Sequence, residues 1–284
     1  MKNINTLVRD IYSVIQGEGG WDAAVSKHCG DRIAETLSSR LNPDEQQGRG
    51  GLRMSAMGSP CERKLWYNVN YTGSDKEDLP PFVRFKFLYG DILEDVVISL
   101  AKAAGHKVEG EQDQMEIAGI KGHRDCVIDG ITVDIKSAST RAFDKFKSGA
   151  LRSDDPFGYI SQLSSYVYAG RFNEVESHPT MGAFLAVDKT TGHICLDVYD
   201  FTHEIETKVA DFERIKLMVN EHKPPVRAFD PVPDGKSGNM KLPAACSYCS
   251  HKSECWPGLR SFAYSGGPRH LTRVVVEPNV KEIK

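Results

Sequence analysis

The chain has 284 residues, 40% hydrophobic and 26% charged, with a formal net charge of −3; this is the make-up of an ordinary soluble globular protein with room for one large domain or two small ones. The charge neither points to a nucleic-acid partner nor excludes one, because a local basic patch is enough to bind phosphates. Met1–Asp10 lacks the apolar core of a signal peptide, and no apolar run approaches the roughly 18 residues that cross a bilayer. The expected location is therefore the cytoplasm, with no membrane partner, where an odd count of seven cysteines argues against a disulfide framework and for metal or cluster ligands.

In chain order, residues 1–50 are expected to form a helical cap, with apolar spacing through Leu7, Val8, Ile11, Val14 and Ile15 and then Ala24, Val25, Ile33 and Leu37. Gly17, Gly19 and Gly20 break it into two helices, and Asn42–Gly51 is a polar linker. Residues 51–80 carry the first cysteine segment around Cys61. A core over 81–230 opens with a helix, Phe82–Gly105, marked by Phe85, Leu88, Ile92, Val96, Val97 and Leu100 and closed by a glycine. Three strands follow, Gln114–Ala118, Gly122–Ile128 and Ile131–Ser137, the last two joined by an Asp129-Gly130 hairpin signal. Next come a helix at Tyr159–Ala169, a hairpin of Gly182–Asp188 with His193–Tyr199, and an amphipathic helix at His203–His222. Residues 231–284 form a C-terminal cysteine lobe and tail.

Two of these strands carry Gly122-His123-Arg124-Asp125 and Asp134-Ile135-Lys136. Strand side chains alternate, so Asp134 and Lys136 share a face, and the hairpin puts Asp125 on the neighbouring strand. Two carboxylates there make a hard oxygen site suited to Mg²⁺ or Mn²⁺, and Glu94 on the preceding helix completes the shell. A lysine beside them can orient an attacking hydroxide and stabilise a negative transition state. Asp-x-Lys alone is a weak signal, since any exposed hairpin carries alternating charges on its wet face. Gln162 and Tyr166, four apart on one helix face, add hydrogen-bonding and stacking groups, although Tyr166 also reads as an amphipathic core residue.

Taken in order, Gly90–Glu94, Gly122–Asp125, Asp134–Lys136 and Gln162–Tyr166 resemble the motifs of the RecB-type branch of the PD-(D/E)XK nuclease superfamily. The resemblance implies an α/β restriction-endonuclease-like core, a central mixed sheet flanked by helices. It implies Glu94, Asp125, Asp134 and the Ile135 backbone carbonyl as metal ligands, Lys136 as the catalytic lysine, and Gln162 and Tyr166 as DNA-facing residues. Many RecB-type members have histidine where Glu94 stands; glutamate there is similar to lambda-type exonucleases. The implied activity is a Mg²⁺- or Mn²⁺-dependent DNA exonuclease acting on DNA ends, including single strands. An endonuclease and a catalytically idle DNA- or protein-binding relative are the alternatives.

Cys246-x-x-Cys249 and Cys255 set three thiolates close together, spacing that suits zinc or an iron–sulfur cluster. The fourth ligand is His251 for zinc or Cys61 for a cluster. One cysteine before the core and three after it resemble the iron–sulfur nucleases of the RecB branch, the CRISPR-associated ones among them. That implies a 4Fe-4S cluster on Cys61, Cys246, Cys249 and Cys255 that staples the ends of the domain. Cys29, Cys126 and Cys195 read as packed thiols. Size and resemblance point to a phage or bacterial nuclease, with replication, recombination or CRISPR proteins as partners; an oligomer would add processivity.

Two glycine-containing stretches are discounted. Asp234-Gly235-Lys236-Ser237 lacks the earlier glycine of a phosphate-binding loop, and Gly17-Glu18-Gly19-Gly20 follows a helix rather than a strand. The basic run Arg141, Lys145, Lys147 and Arg152 reads equally as a phosphate contact and as a solvated face.

Overall fold

The computed structural model describes residues 2–42, 51–71 and 81–283. Helices α1 (Leu7–Ile15), α2 (Ala23–Leu41), α3 (Glu62–Asn70) and α4 (Pro81–Ala103) come first, then strands β1 (Val108–Glu109), β2 (Gln114–Ile117), β3 (Ile120–His123), β4 (Cys126–Ile128) and β5 (Ile131–Ala138). Helices α5 (Thr140–Ser148) and α6 (Tyr159–Gly170) lead to β6 (Met181–Asp188), β7 (Ile194–Asp200) and α7 (Lys208–Val219). The remainder holds β8 (Val232–Pro233), β9 (Met240–Lys241), the single turns α8 (Ala244–Ser247) and α9 (Lys252–Cys255), and β10 (Arg260–Tyr264), β11 (Gly267–Arg273) and β12 (Glu282–Ile283).

The chain divides into two compact units, Met1–Gly58 with Pro80–Arg214, and Ser59–Leu79 with Ile215–Lys284. This replaces the four consecutive segments expected from the sequence. The N-terminal helices belong to the body of the first unit, because the apolar stripe of α1 needs a surface to cover: Leu7 and Ile11 are fully buried in one cluster with Val97 and Ile98 of α4 and Val133 and Ile135 of β5. The Cys61 segment belongs with the C-terminal stretch. The expected linker falls largely on 43–50, outside the described residues.

In the first unit, a central mixed sheet has the order β1-β4-β5-β6-β7. Only β5 and β6 run parallel within it. One face packs on α1 and α4 through Val133, Ile135, Leu185 and Val187. The other packs on α5 and α6 through Phe143, Phe146, Leu163, Val167 and Phe184. The unit is therefore mixed α/β with helices flanking the sheet. The Asp129-Gly130 turn joins β4 to β5 with both residues at positive φ, 50° and 82°, the twist-matched hairpin geometry that Asp-Gly favours.

Three expected elements differ. The strand expected over Gly122–Ile128 breaks into β3 and β4, because the Arg124 side chain is pulled into the interior, where it pairs with Glu176 and, at 2.7 Å, with Asp113. The helix expected from His203 begins only at Lys208. The basic run lies mostly on α5, but Lys145 pairs with Asp154 and Arg152 with Glu204, so these two are engaged within the fold.

The second unit holds an antiparallel sheet of order β12-β10-β11-β9-β8. Within the unit, α3 is tied to the end of α7 and the chain just after it: Trp66 Nε1 donates to the Glu221 carbonyl at 2.8 Å, and Asn70 to that of Val219 at 2.6 Å. Among the described residues no helix is long and apolar enough to cross a membrane.

Candidate active site and four-cysteine site

The acidic residues of the first unit meet because of register. Cys126 pairs with Val133 in the antiparallel β4–β5 ladder, so one step further Asp125 stands opposite Asp134, and directly opposed residues share a face. Asp125 Oδ2 accepts the Ile135 N–H at 2.7 Å. The N–H and C=O of one strand residue face the same side, so the Ile135 carbonyl is turned toward the same edge as its N–H. Asp134 is 3% exposed, and its Oδ1 lies 2.6 Å from Lys136 Nζ. These side chains therefore do not form a solvated hairpin face: Val133 and Ile135 fill the α1/α4 side, while Asp134 and Lys136 point toward α6.

Glu94 comes from α4, and its Oε1 accepts a hydrogen bond from Gln112 Nε2 at 2.7 Å. Burial, reinforced by the charges of Asp134, Asp95 and Asp91, pushes the Glu94 carboxyl up to about 7. Burial, then Glu94 and Asp134, hold Asp125 well above the usual carboxylate range. Burial opposes the charge of Lys136, yet Asp134 and Asp125 outweigh it and keep the ammonium above its ordinary value. Three carboxylates and one ammonium are thus brought within electrostatic reach of one another.

Tyr166 is corrected. At 3% exposure its ring offers no open face to a nucleobase. Burial, followed by Asp134 and Asp125, raises its phenol above the normal range, and Gln162 bonds it. It packs behind the acidic edge. Gly122 makes room for it, since a Cβ there would stand 3.0 Å from the Tyr166 hydroxyl and 2.7 Å from Met54 Cβ.

Sequence reasoning missed Gln112 and Tyr159. Gln112 sits at φ 55° in the loop before β2, a conformation uncommon for a residue with a side chain, and no motif announces it. Tyr159 opens α6, and its ring lies 4.8 Å from Lys136 Nζ, a cation–π contact that confines the ammonium. An aromatic one turn before Gln162 on the same helix was the available signal.

The residues fit a divalent cation on one observation above all: Asp134 Oδ2 is buried with no hydrogen-bond partner, near Glu94 and Asp125, whose carboxyls burial and neighbouring charge raise. Leaving a buried carboxylate oxygen unsatisfied is costly, and hard oxygen donors are what Mg²⁺ and Mn²⁺ take. Among the described residues, no three His, Cys, Asp or Glu side chains stand close enough to ligate a single ion.

In the second unit, Cys61, Cys246, Cys249 and Cys255 line one recess together with Arg63, Lys64, Tyr67 and Trp256. Cys61 caps α3 and Cys255 ends α9. Burial and then the neighbouring Cys249, Cys61 and Cys255 push the Cys246 thiol up to about 11. Burial also raises Cys249, against the His251 backbone N–H that bonds it. Four thiols lining one recess are a soft donor set, suited to iron–sulfur or zinc. His251 lines the same recess; its Nε2 meets Asn68 Oδ1 at 2.9 Å and its ring stacks on Tyr67. Arg227 fastens the last cysteine, donating to the Cys255 carbonyl at 2.9 and 2.6 Å while its guanidinium lies 4.1 Å over Trp256.

No family model matches the chain, and no curated protein does. Among solved structures it is similar to SSO0001, 16% identical, with 80% of this chain and 95% of that one covered and a TM-score of 0.41.

Proposed function

We propose that the chain is a metal-dependent deoxyribonuclease with a PD-(D/E)XK-type core, hydrolysing phosphodiester bonds at DNA ends, and that its second unit is an iron–sulfur lobe on Cys61, Cys246, Cys249 and Cys255. The observation that carries the first part is the partnerless Asp134 Oδ2, buried beside Glu94 and Asp125 with Lys136 at 2.6 Å from the other oxygen. Glu94, Asp125, Asp134 and the Ile135 carbonyl are the residues that would hold the cation, which requires the three carboxylates to draw closer together than they stand. The chemistry such an ion supplies is a lowered pKa for bound water and neutralised charge on phosphate.

The remaining work falls to side chains of the chain itself. Hydrolysis forms a bond from a water oxygen to phosphorus and breaks one to a sugar oxygen, which departs with a proton. Lys136, held charged by Asp134 and Asp125, aims its ammonium at the oxygen on which negative charge grows. Tyr159 backs that ammonium, Gln112 fixes Glu94, and Gln162 with Tyr166 closes the space behind Asp134. Readout of base edges has no signature here, so binding is through backbone and stacking.

The test is digestion of end-labelled linear DNA, single- and double-stranded, beside circular DNA, with Mg²⁺, Mn²⁺ or a chelator. Linear substrates should lose label only with metal, circles should stay intact, and Lys136→Ala should slow cleavage about 100-fold or more. Equal cleavage by Lys136→Ala and wild type sinks the site; products from circles turn the exonuclease into an endonuclease.

A further inference from the structure

An exposed aromatic side chain, Phe157, stands next to the ring that backs Lys136. Phe157 is 51% exposed, and a lone exposed aromatic is ordinary on protein surfaces. This one is set apart by how firmly it is held. The Asp155 carboxylate accepts the Gly158 N–H through one oxygen and the Ile160 N–H through the other, each at 2.8 Å. Gly158 sits at φ +78°, and a Cβ there would come within 1.7 Å of the Gly58 carbonyl oxygen, so backbone packs directly on backbone. The loop is therefore fastened on both sides of Phe157, and its exposed ring is presented in a fixed place.

That place adjoins the reactive lysine. The rings of Phe157 and Tyr159 lie 5.6 Å apart, tilted by 32°, and Tyr159 is the ring beneath Lys136. Tyr159 is itself braced by Phe146, stacked at 6.1 Å. Two aromatic steps thus lead from the ammonium to a solvent-facing π surface, a span of the order of that from a phosphate to its own or the neighbouring base.

We propose that Phe157 is a stacking platform for an unpaired nucleobase next to the scissile phosphate, so that single-stranded ends are the preferred substrate. The inference rests on the nuclease reading and names its substrate. A base inside a duplex has both faces covered by its neighbours; an unpaired one offers a face to any aromatic ring, whatever its sequence. The platform therefore selects strandedness without selecting sequence.

The experiment uses the full chain and single-stranded oligonucleotides bearing 2-aminopurine at the labelled end, with Mn²⁺ for cleavage and Ca²⁺ for binding. Wild type should quench the 2-aminopurine on binding. Phe157→Ala should lose the quenching and raise KM for the single strand roughly tenfold, with kcat at saturation and the melting temperature close to wild type. Phe157→Trp should restore both quenching and KM. A wild type that cleaves DNA beside a Phe157→Ala with unchanged KM and quenching overturns the platform alone. A wild type that neither binds nor cleaves DNA overturns the nuclease reading, and the platform with it.

Discussion

Gly122 shows how tightly a single position can be determined. Its neighbours leave no space for a methyl group, with Met54 Cβ 2.7 Å and the Tyr166 hydroxyl 3.0 Å from where a Cβ would stand. Gly122→Ala should cost about 1–3 kcal/mol as over-packing, seen in thermal denaturation, and should lower cleavage because Tyr166 must shift away from Asp134. Full activity with an unchanged melting temperature would show that the contact yields freely. Gly90, by contrast, has only Ser137 at an ordinary 3.8 Å, so close approach gives no reason for it. Residue types that ligate or titrate were legible from sequence, because Glu94, Asp125, Asp134 and Lys136 are chemically distinctive at fixed spacing. Gln112 was not, since its role depends on a left-handed backbone turn, and the burial of Tyr166 was settled by packing that its helical spacing alone left open.

At the scale of elements, helix α6 carries the argument. Asp155 supplies two acceptors to backbone N–H groups at its start, where the first turn has no partners of its own. Asp155→Ala should cost about 1 kcal/mol, read as a small drop in melting temperature, and should raise KM for single strands in step with Phe157→Ala as the loop loosens. A melting change without any KM change would separate the cap from the platform. Helices α1, α2, α4 and α6 and the β4–β5 and β6–β7 hairpins stood out in the sequence because apolar periodicity and an Asp-Gly turn are local signals. The C-terminal sheet did not. Strands β8, β9 and β12 have two residues each, and β11 buries only Leu271 among its seven, so no alternation marks them.

For the whole molecule, the cysteine pattern was visible as a ligand set, but the division into units was not, because it depends on contacts between Ser59–Leu79 and a stretch far along the chain. The proposed cluster is tested by metal analysis. Purified protein should contain about four irons and four sulfides per chain, Cys61→Ser or Cys246→Ser should lose them, and the stretch from residue 215 onward should become protease-sensitive. Stoichiometric zinc with no sulfide would replace the cluster by a zinc site. The second unit is assembled from two separated pieces of chain, Ser59–Leu79 and Ile215–Lys284. During synthesis the earlier piece leaves the ribosome long before its complement exists, and domains condense only once their contacts can form. Assembly of this unit must therefore wait for its later piece, and a chain cut short after Arg214 but before Cys246 would leave Cys61 as an orphan thiol beside a first unit whose own two pieces are already complete.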